Sequence, residues 1–369
     1  IPVFIWSPEE EDMSPGAATR WWLHQSIKGL TESLEKLGTT LVLRTGESIK
    51  NLEKLAKDTG AKGVYWNRRY EPMIRRRDDE IVCQLRQAGL TVKTFKASLL
   101  AEPEEIENKS GLPFKVFTPF WKHCLKKLNA STPLPAPQKV EPPKVSLRTT
   151  ELSELNLEPE QDWGHSMNEV WTPGERGAAS ALELFINDSF NDYAKIRNFP
   201  NTKGTSRLSP HLRFGEISPR QIKHSLEQSG HAQWKESHYL SEIGWREFGY
   251  HLLYHFPHTV REPLRPQFNR FPWKENSPQL RSWQKGQTGY PLVDAGMREL
   301  WATGWMHNRV RMVVASFLVK HLLIHWRHGA DWFWDTLVDA DLASNTQGWQ
   351  WTAGSGADAA PYFRIFNPT

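Results

Sequence analysis

The sequence predicts an α/β plus all-α protein: an N-terminal doubly wound parallel α/β domain, a long linker, and a C-terminal all-helical domain. Three observations predict it. Up to Phe95, strand-length apolar runs alternate with helical stretches closed by glycine; a proline-dense stretch follows; beyond Thr172 strand signals nearly vanish. With 369 residues, 38% of them hydrophobic, the chain exceeds one ordinary domain and can bury one or two cores.

Val3 to Trp6 reads as the first strand, a helix near Trp21 to Leu37 is closed by Gly38, and Thr40 to Arg44 reads as the second strand. A helix near Ile49 to Thr59 stops at Gly60, and Gly63 to Trp66 is the next strand. Pro72 opens a helix that ends before Gly89, and Thr91 to Phe95 follows. No Gly-rich dinucleotide fingerprint and no Walker-type phosphate loop occurs here, so a ligand of this half is held in another way. After a helix around Phe114 to Leu128 come Pro133 to Pro137 and Pro142-Pro143, which read as a semi-rigid linker over 129–165 wrapping the surface. Domains are thus expected at 1–128 and 166–369. In the second, Thr172-Pro173-Gly174-Glu175 predicts a capping box and Ser218-Pro219 a further helix start. Gln233 to His255, Asp294 to Thr303 and Met306 to Trp326 read as long amphipathic helices.

The formal charge of +4 favours an anionic partner over a cationic one, though weakly. Cys83 and Cys124 fit no metal or redox spacing, so a reducing, cytoplasmic setting without structural disulfides is expected, with no metal and no membrane span. The opening at Ile1, already strand-like, reads as the start of an internal fragment with an upstream targeting peptide left open, and the end at Asn367-Pro368-Thr369 reads as a truncation. Eighteen tryptophans outnumber 17 Phe and 8 Tyr. They serve core packing, or else a protein that stacks on flat ligands or moves electrons through indoles.

Four segments of the helical half combine residues that a core does not require. Gly204-Thr205-Ser206-Arg207-Leu208-Ser209-Pro210 is either a phosphate-cradling turn or a plain Ser/Thr-rich helix cap. Glu242, Trp245, Arg246 and Gly249 share one helix side, as a cavity wall or as an intrahelical Glu242–Arg246 pair beside a core Trp. Gly304 to Met312 opens a helix with Asn308 and Met312 one turn apart; its basic residues are either solvated or await an anion. Leu337 to Trp351 packs Asp339, Asp341, Asn345, Trp349 and Trp351 together, where a metal is the rival reading to a heteroaromatic ligand.

Together with Thr288 to Ala295 and Trp245-Arg246-Glu247, these segments resemble the photolyase/cryptochrome family in order and spacing, over nearly the whole chain. Val3 to Glu11 and Arg20-Trp21-Trp22 are similar to plant cryptochromes, which suits a bacterial photolyase branch related to them. The resemblance makes the helical domain FAD-binding, with Tyr193, Thr205, Ser206, Arg207, Leu208, Ser209, Tyr239, Arg246, Arg311, Asp339, Asp341 and Asn345 as cofactor residues. Asn345 is expected to face flavin N5, where plant cryptochromes carry Asp. Glu242, Asn308 and Met312 match enzymes that split cyclobutane pyrimidine dimers, whereas six-four photolyases carry His at the place of Asn308. Trp245 and Trp351 are expected to wedge the flipped dimer, Glu242 to bond its carbonyls, and Arg197 and Arg309 to hold DNA phosphates. Trp349, Trp326 and Trp273 fall at the family's electron-transfer positions. The resemblance further implies an antenna chromophore, a folate such as methenyltetrahydrofolate or a deazaflavin, with Glu71 as a contact. Blue-light-driven dimer repair in UV-damaged DNA by a monomer is the function implied. The alternatives are a non-repairing cryptochrome photoreceptor and a plain flavin or nucleic-acid binding protein.

Overall fold

The computed structural model describes residues 1–128, 132–159, 163–361 and 364–368. The residues that open the expected linker (129–131), three near its end (160–162) and three of the expected helical domain (362, 363 and 369) lie outside the described residues.

The N-terminal half contains β1 (Val3–Trp6), α1 (Ala17–Lys36), β2 (Val42–Thr45), α2 (Ser48–Thr59), β3 (Gly63–Asn67), α3 (Pro72–Gln87) and β4 (Thr91–Phe95). All pairing is parallel, β1 with β2 in the register Val3↔Val42 and β3 with β4 in the register Gly63↔Thr91. The alternation of strand and helix therefore holds, but the sheet takes the form of two two-stranded ladders, each one β-α-β unit. Among the described residues no ladder joins the two units. Gly60, at a φ of 65°, ends α2 as its position after the apolar periodicity predicts.

The proline-rich stretch lies along the α/β half. Val140 donates its backbone N–H to the Leu37 carbonyl at 2.8 Å and Thr150 to that of Leu43 at 3.0 Å. Leu155 and Leu157 are buried with Ile27, Leu41 and Leu43, so the segment adds core to the domain it leaves.

The helical half consists of α4 (Phe117–Lys127), α5 (His165–Val170), α6 (Glu175–Asp188), α7 (Tyr193–Ile196), α8 (Ser209–Phe214), α9 (Pro219–Gln228), α10 (His238–His255), α11 (Ser277–Gln284), α12 (Pro291–Thr303), α13 (Asn308–Ser316), α14 (Trp326–Thr336) and α15 (Leu342–Ala353). Helix α4 shares the core of this half: Phe120, Trp121 and Cys124 are buried with Leu240, Ile243 and Phe248 of α10. A Cβ on Gly244 would come within 2.6 Å of the Trp121 ring, so this crossing of α4 and α10 depends on the missing side chain. The helical core thus begins ahead of residue 128.

Two sequence expectations shift, and one of the helix starts holds. The capping box at Thr172 does not form, because Gly174 turns the chain at a φ of 99° and α6 starts at Glu175. Ser218 does cap α9, accepting the Gln221 N–H while the Gln221 side chain reaches back. The long helix expected over Met306 to Trp326 is two helices: α13 runs into a π-helical turn at Phe317–His321, Leu323 takes a φ of 58°, and His325 caps α14 through its Nδ1. A third core cluster ties the halves together, with Trp21 and Trp22 of α1 against Trp171, Trp305 and Val338.

Candidate functional site

Helices α8, α10, α13, α14 and α15 surround a cavity of about 490 Å³ in the helical half. Its wall unites three of the four segments singled out in the sequence, and the fourth contributes Ser209 at its edge.

From α10 come Glu242, Trp245 and Arg246. The intrahelical Glu242–Arg246 pair is not made. Arg246 instead donates to the Ser98 carbonyl at 2.6 Å, and Glu242 is paired with Arg197, whose Nη2 lies 2.7 Å from its carboxylate. Trp245 stacks one face on Phe117 of α4, with ring centroids 3.9 Å apart and planes 7° from parallel. That contact fixes the indole as part of the wall.

Gly304 ends α12 in the left-handed region at a φ of 65°, and a Cβ there would meet Val338 at 2.6 Å; the chain then turns through Trp305 to His307 into α13. His307 caps α13 by accepting the Arg309 N–H at its Nδ1, 3.1 Å away. Burial, with Arg309, Arg311 and Arg197 nearby, holds its pKa down to about 4, so the ring is neutral and can accept. The cap aligns Asn308, Arg309 and Met312 on the cavity, and Arg309 donates to Met312 Sδ at 3.5 Å.

The segment before α15 supplies the charged floor. Arg311 Nη2 donates to Asp339 Oδ2 at 2.8 Å and its Nε to the Met306 carbonyl at 2.8 Å. Asp341 caps α15 by accepting the Ser344 N–H at 2.7 Å, while its other oxygen accepts from the Tyr250 hydroxyl. Asn345 donates its Nδ2 to the Ala330 carbonyl at 3.0 Å, which fixes the amide and turns its oxygen end into the offered group. Four guanidinium groups, of Arg197, Arg246, Arg309 and Arg311, face three carboxylates, of Glu242, Asp339 and Asp341. No group of three or more metal-ligating side chains occurs among the described residues.

Asp339 Oδ1 is buried without a partner. An orphaned acceptor in a dry carboxylate costs free energy unless a donor arrives, and a ring N–H would satisfy it. Trp349 and Trp351 complete the apolar side of the cavity. Charged acceptors below and flat indoles beside them suit a polar heteroaromatic ring.

Matches with known proteins agree with this geometry. The family model described as DNA photolyase matches residues 1–138, and the model of the FAD binding domain of DNA photolyase matches residues 239–369. The deoxyribodipyrimidine photo-lyase of Agrobacterium fabrum is 48% identical over 372 residues, covering 100% of this chain and 77% of that protein. The chain belongs to the DNA photolyase family. It is also 39% identical to cryptochrome-1 of Arabidopsis thaliana over 380 residues, all of this chain but 56% of that one. The crystal structure of a bacterial class III photolyase from Agrobacterium tumefaciens superposes with a TM-score of 0.95 at 47% identity, covering 100% of this chain and 77% of that one.

Within this photolyase fold the remaining expected residues fall outside the cavity wall. Tyr193 and Tyr239 are buried against each other and Phe185, with ring centroids 5.3 Å apart for the tyrosine pair. Thr205 and Ser206 form the turn into α8, where Ser206 accepts the Leu208 N–H at 3.4 Å, and Leu208 is buried. Arg207, at a φ of 53°, lies between the rings of Trp171 and Trp305, 4.4 and 4.6 Å from their centroids, with its Nε unpartnered. The structure therefore uses this arginine to bind indoles rather than to line the cavity.

Trp326 is buried in the same cluster as Trp349, and Trp273 packs on it. The ring contacts of Trp349 run to Trp283 and Phe333, at 6.1 and 5.1 Å, whereas Trp273 and Trp326 both meet His325, at 5.1 and 5.6 Å. Trp283, fully buried and donating its indole N–H to the Val314 carbonyl at 3.0 Å, was not singled out in the sequence. Glu71 is not open to a ligand: it pairs with Arg69 at 3.0 Å and lies 3.9 Å from Arg213. Burial alone would raise its pKa, but those two arginines hold it at about 2.

Proposed function

We propose that this chain uses FAD and blue light to split cyclobutane pyrimidine dimers in DNA. The observation that carries the reading is the single cavity whose wall brings together Glu242, Asn308, Met312, Trp245 and Trp351 with Asp339, Asp341 and Asn345. Bound and reduced, FAD would supply light-driven one-electron chemistry for splitting the dimer.

The protein's own residues would do the rest. Arg311, Asp339 and Asp341 would hold the polar edge of the isoalloxazine, the orphaned Asp339 oxygen accepting a ring N–H. Asn345 would present its amide oxygen toward flavin N5. Photolyases act on a dimer flipped out of the stack, and Trp245 and Trp351 would receive it, each stacked base contributing about 1 to 3 kcal/mol. The ion-paired Glu242 and Arg197 together offer an acceptor for pyrimidine N–H groups and donors for their carbonyls, more than the carboxylate alone. Trp349, Trp326 and Trp273 would relay electrons from a donor at the surface to oxidised flavin in the light. A folate or deazaflavin antenna, monomeric action and a cytoplasmic setting complete the proposal.

The second reading, a photoreceptor without repair, draws on the similarity to plant cryptochromes. Asn308 and Asn345 speak for repair. Illuminating the FAD-loaded, reduced protein with dimer-containing DNA and counting the dimers left decides between them: light-dependent loss is expected, and dimer counts unchanged by light would overturn the proposal.

A further inference from the structure

Arg309 stands in the first turn of α13, where the helix dipole disfavours a cation. Its surroundings add to the cost: burial and then Arg197 lower its pKa, and Arg364 acts the same way. The one carboxylate in its field, Glu242, is already taken by Arg197 at 2.7 Å. Among the described residues no carboxylate lies within ion-pair distance of Arg309.

What fixes the side chain is neutral. Asn198, just past α7, accepts from Arg309 Nε at 3.0 Å and from its Nη2 at 2.8 Å with a single amide oxygen. Met312 Sδ takes a third N–H at 3.5 Å. The Asn198 amide is itself fixed, because its Nδ2 donates to the carbonyls of Ala194 and Lys195, both at 3.2 Å. A carboxylate in its place would hold the guanidinium equally well and cancel its charge. An amide holds it and leaves the charge for an anion outside the protein.

We propose that Asn198 is a positioning residue for Arg309, aiming an un-neutralised guanidinium at the cavity mouth to capture a DNA phosphate beside the lesion. This rests on the DNA-repair reading above. Ordering the side chain before binding removes a cost otherwise met on association, about 0.5 to 1.5 kcal/mol for one long side chain, or about 2- to 10-fold in affinity.

The test measures binding of the FAD-loaded protein to one DNA duplex, with and without a dimer, across a salt series. Asn198→Ala should weaken binding about 2- to 10-fold with the salt slope unchanged, since the charge remains. Asn198→Asp should also weaken it but lower the slope by about 0.9, the value for one phosphate contact. Neither change should matter in an Arg309→Ala background, and because phosphates are common to both duplexes, both effects should appear on undamaged DNA as well. Wild-type-like binding by Asn198→Ala, an undiminished slope in Asn198→Asp, or effects that persist without Arg309 would each overturn the proposal. Loss of preference for the damaged duplex in the wild type would instead count against dimer recognition, and so against the repair reading alone.

Discussion

Replacing Glu247 with Gln should remove a loss of stability that grows as pH rises from about 4.5 to about 7. Glu247 is buried in α10, where its Oε2 accepts the backbone N–H groups of Leu100 at 2.8 Å and Ala101 at 3.1 Å. Its Oε1 has no hydrogen-bond partner, and Arg246 Nη1 stops 3.8 Å away. Burial pushes the pKa up from 4.5 to about 7, against the pull of Arg246 and the two N–H groups. Between those values the folded protein keeps a proton that the unfolded chain has released, so stability falls as pH rises through the window. A span of about 2.5 units at about 1.4 kcal/mol each makes the ionised carboxylate cost about 3 kcal/mol above pH 7. Glutamine keeps an oxygen for the two N–H groups and has no proton to lose. The wild-type curve alone is no measure of this, because burial holds His251 at about 3 and His307 and His325 at about 4. Those imidazoles add stability as pH rises toward 6.5 and so mask the loss. Urea unfolding of both proteins at about pH 4.5 and about pH 8 cancels the histidines. The advantage of Glu247→Gln should grow by about 3 kcal/mol between the two conditions, and a difference that stays flat would refute the assignment of a raised pKa to Glu247.

Three further outcomes are expected. Trp349→Phe should abolish light-driven reduction of bound oxidised flavin, followed by absorbance, while repair by chemically reduced protein persists; unaltered photoreduction would remove Trp349 from that role. Gly329→Ala places a Cβ 2.0 Å from Trp349 Cη2, so the ring must move: overpacking of about 1 to 3 kcal/mol outweighs or cancels the gain of about 1 kcal/mol for alanine in a helix, and flavin affinity should fall even where the melting temperature does not. Asp339→Asn leaves Arg311 without its carboxylate, and loss of a charged hydrogen bond worth about 1.5 to 3 kcal/mol should lower flavin affinity at least about tenfold, read by flavin content after gel filtration.

The parts of the molecule legible in the sequence are those written by local periodicity. Each β-α-β unit and the Gly60 cap could be read because strand, helix and stop signal lie next to one another. The split of the sheet into two ladders could not, since which strand edges pair is a long-range matter. The apolar run from Val313 to Leu323 reads as one helix because the chain stays buried from Val314 to Val319 on both sides of the entry into the π turn, and the positive φ of Leu323 marks the break. The cavity was legible because its members recur at helical spacing within short segments. Trp283, Gly329 and Asn198 were not, because each matters through a residue far away in sequence: Trp349 for the first two, Arg309 for the third. Arg207 lies outside the cavity wall for the opposite reason, its motif being clear while its side chain answers to Trp171 and Trp305.

The α/β half looked remote from the chemistry, yet it supports the floor of the cavity. Glu71, at the start of α3, faces Arg213 of α8, and Arg213 Nε donates at 2.8 Å to the carbonyl of Ala340, the residue between Asp339 and Asp341. Tyr70, its neighbour, donates to the buried Glu102 at 2.7 Å and meets Tyr250 edge to face at 5.8 Å. Tyr250 in turn donates to Asp341. Two independent chains of contacts therefore run from 70–71 to the two-carboxylate segment, one through a backbone carbonyl and one through a side chain. Because both end on groups that would face the flavin, a change at Glu71 should be felt as altered flavin binding rather than as loss of a contact to a second chromophore. Glu71→Gln removes the charge that Arg213 faces while keeping the volume, so weaker FAD binding with an otherwise intact fold is the expected result, and unchanged FAD affinity would show that the α/β half does not brace the site through this residue.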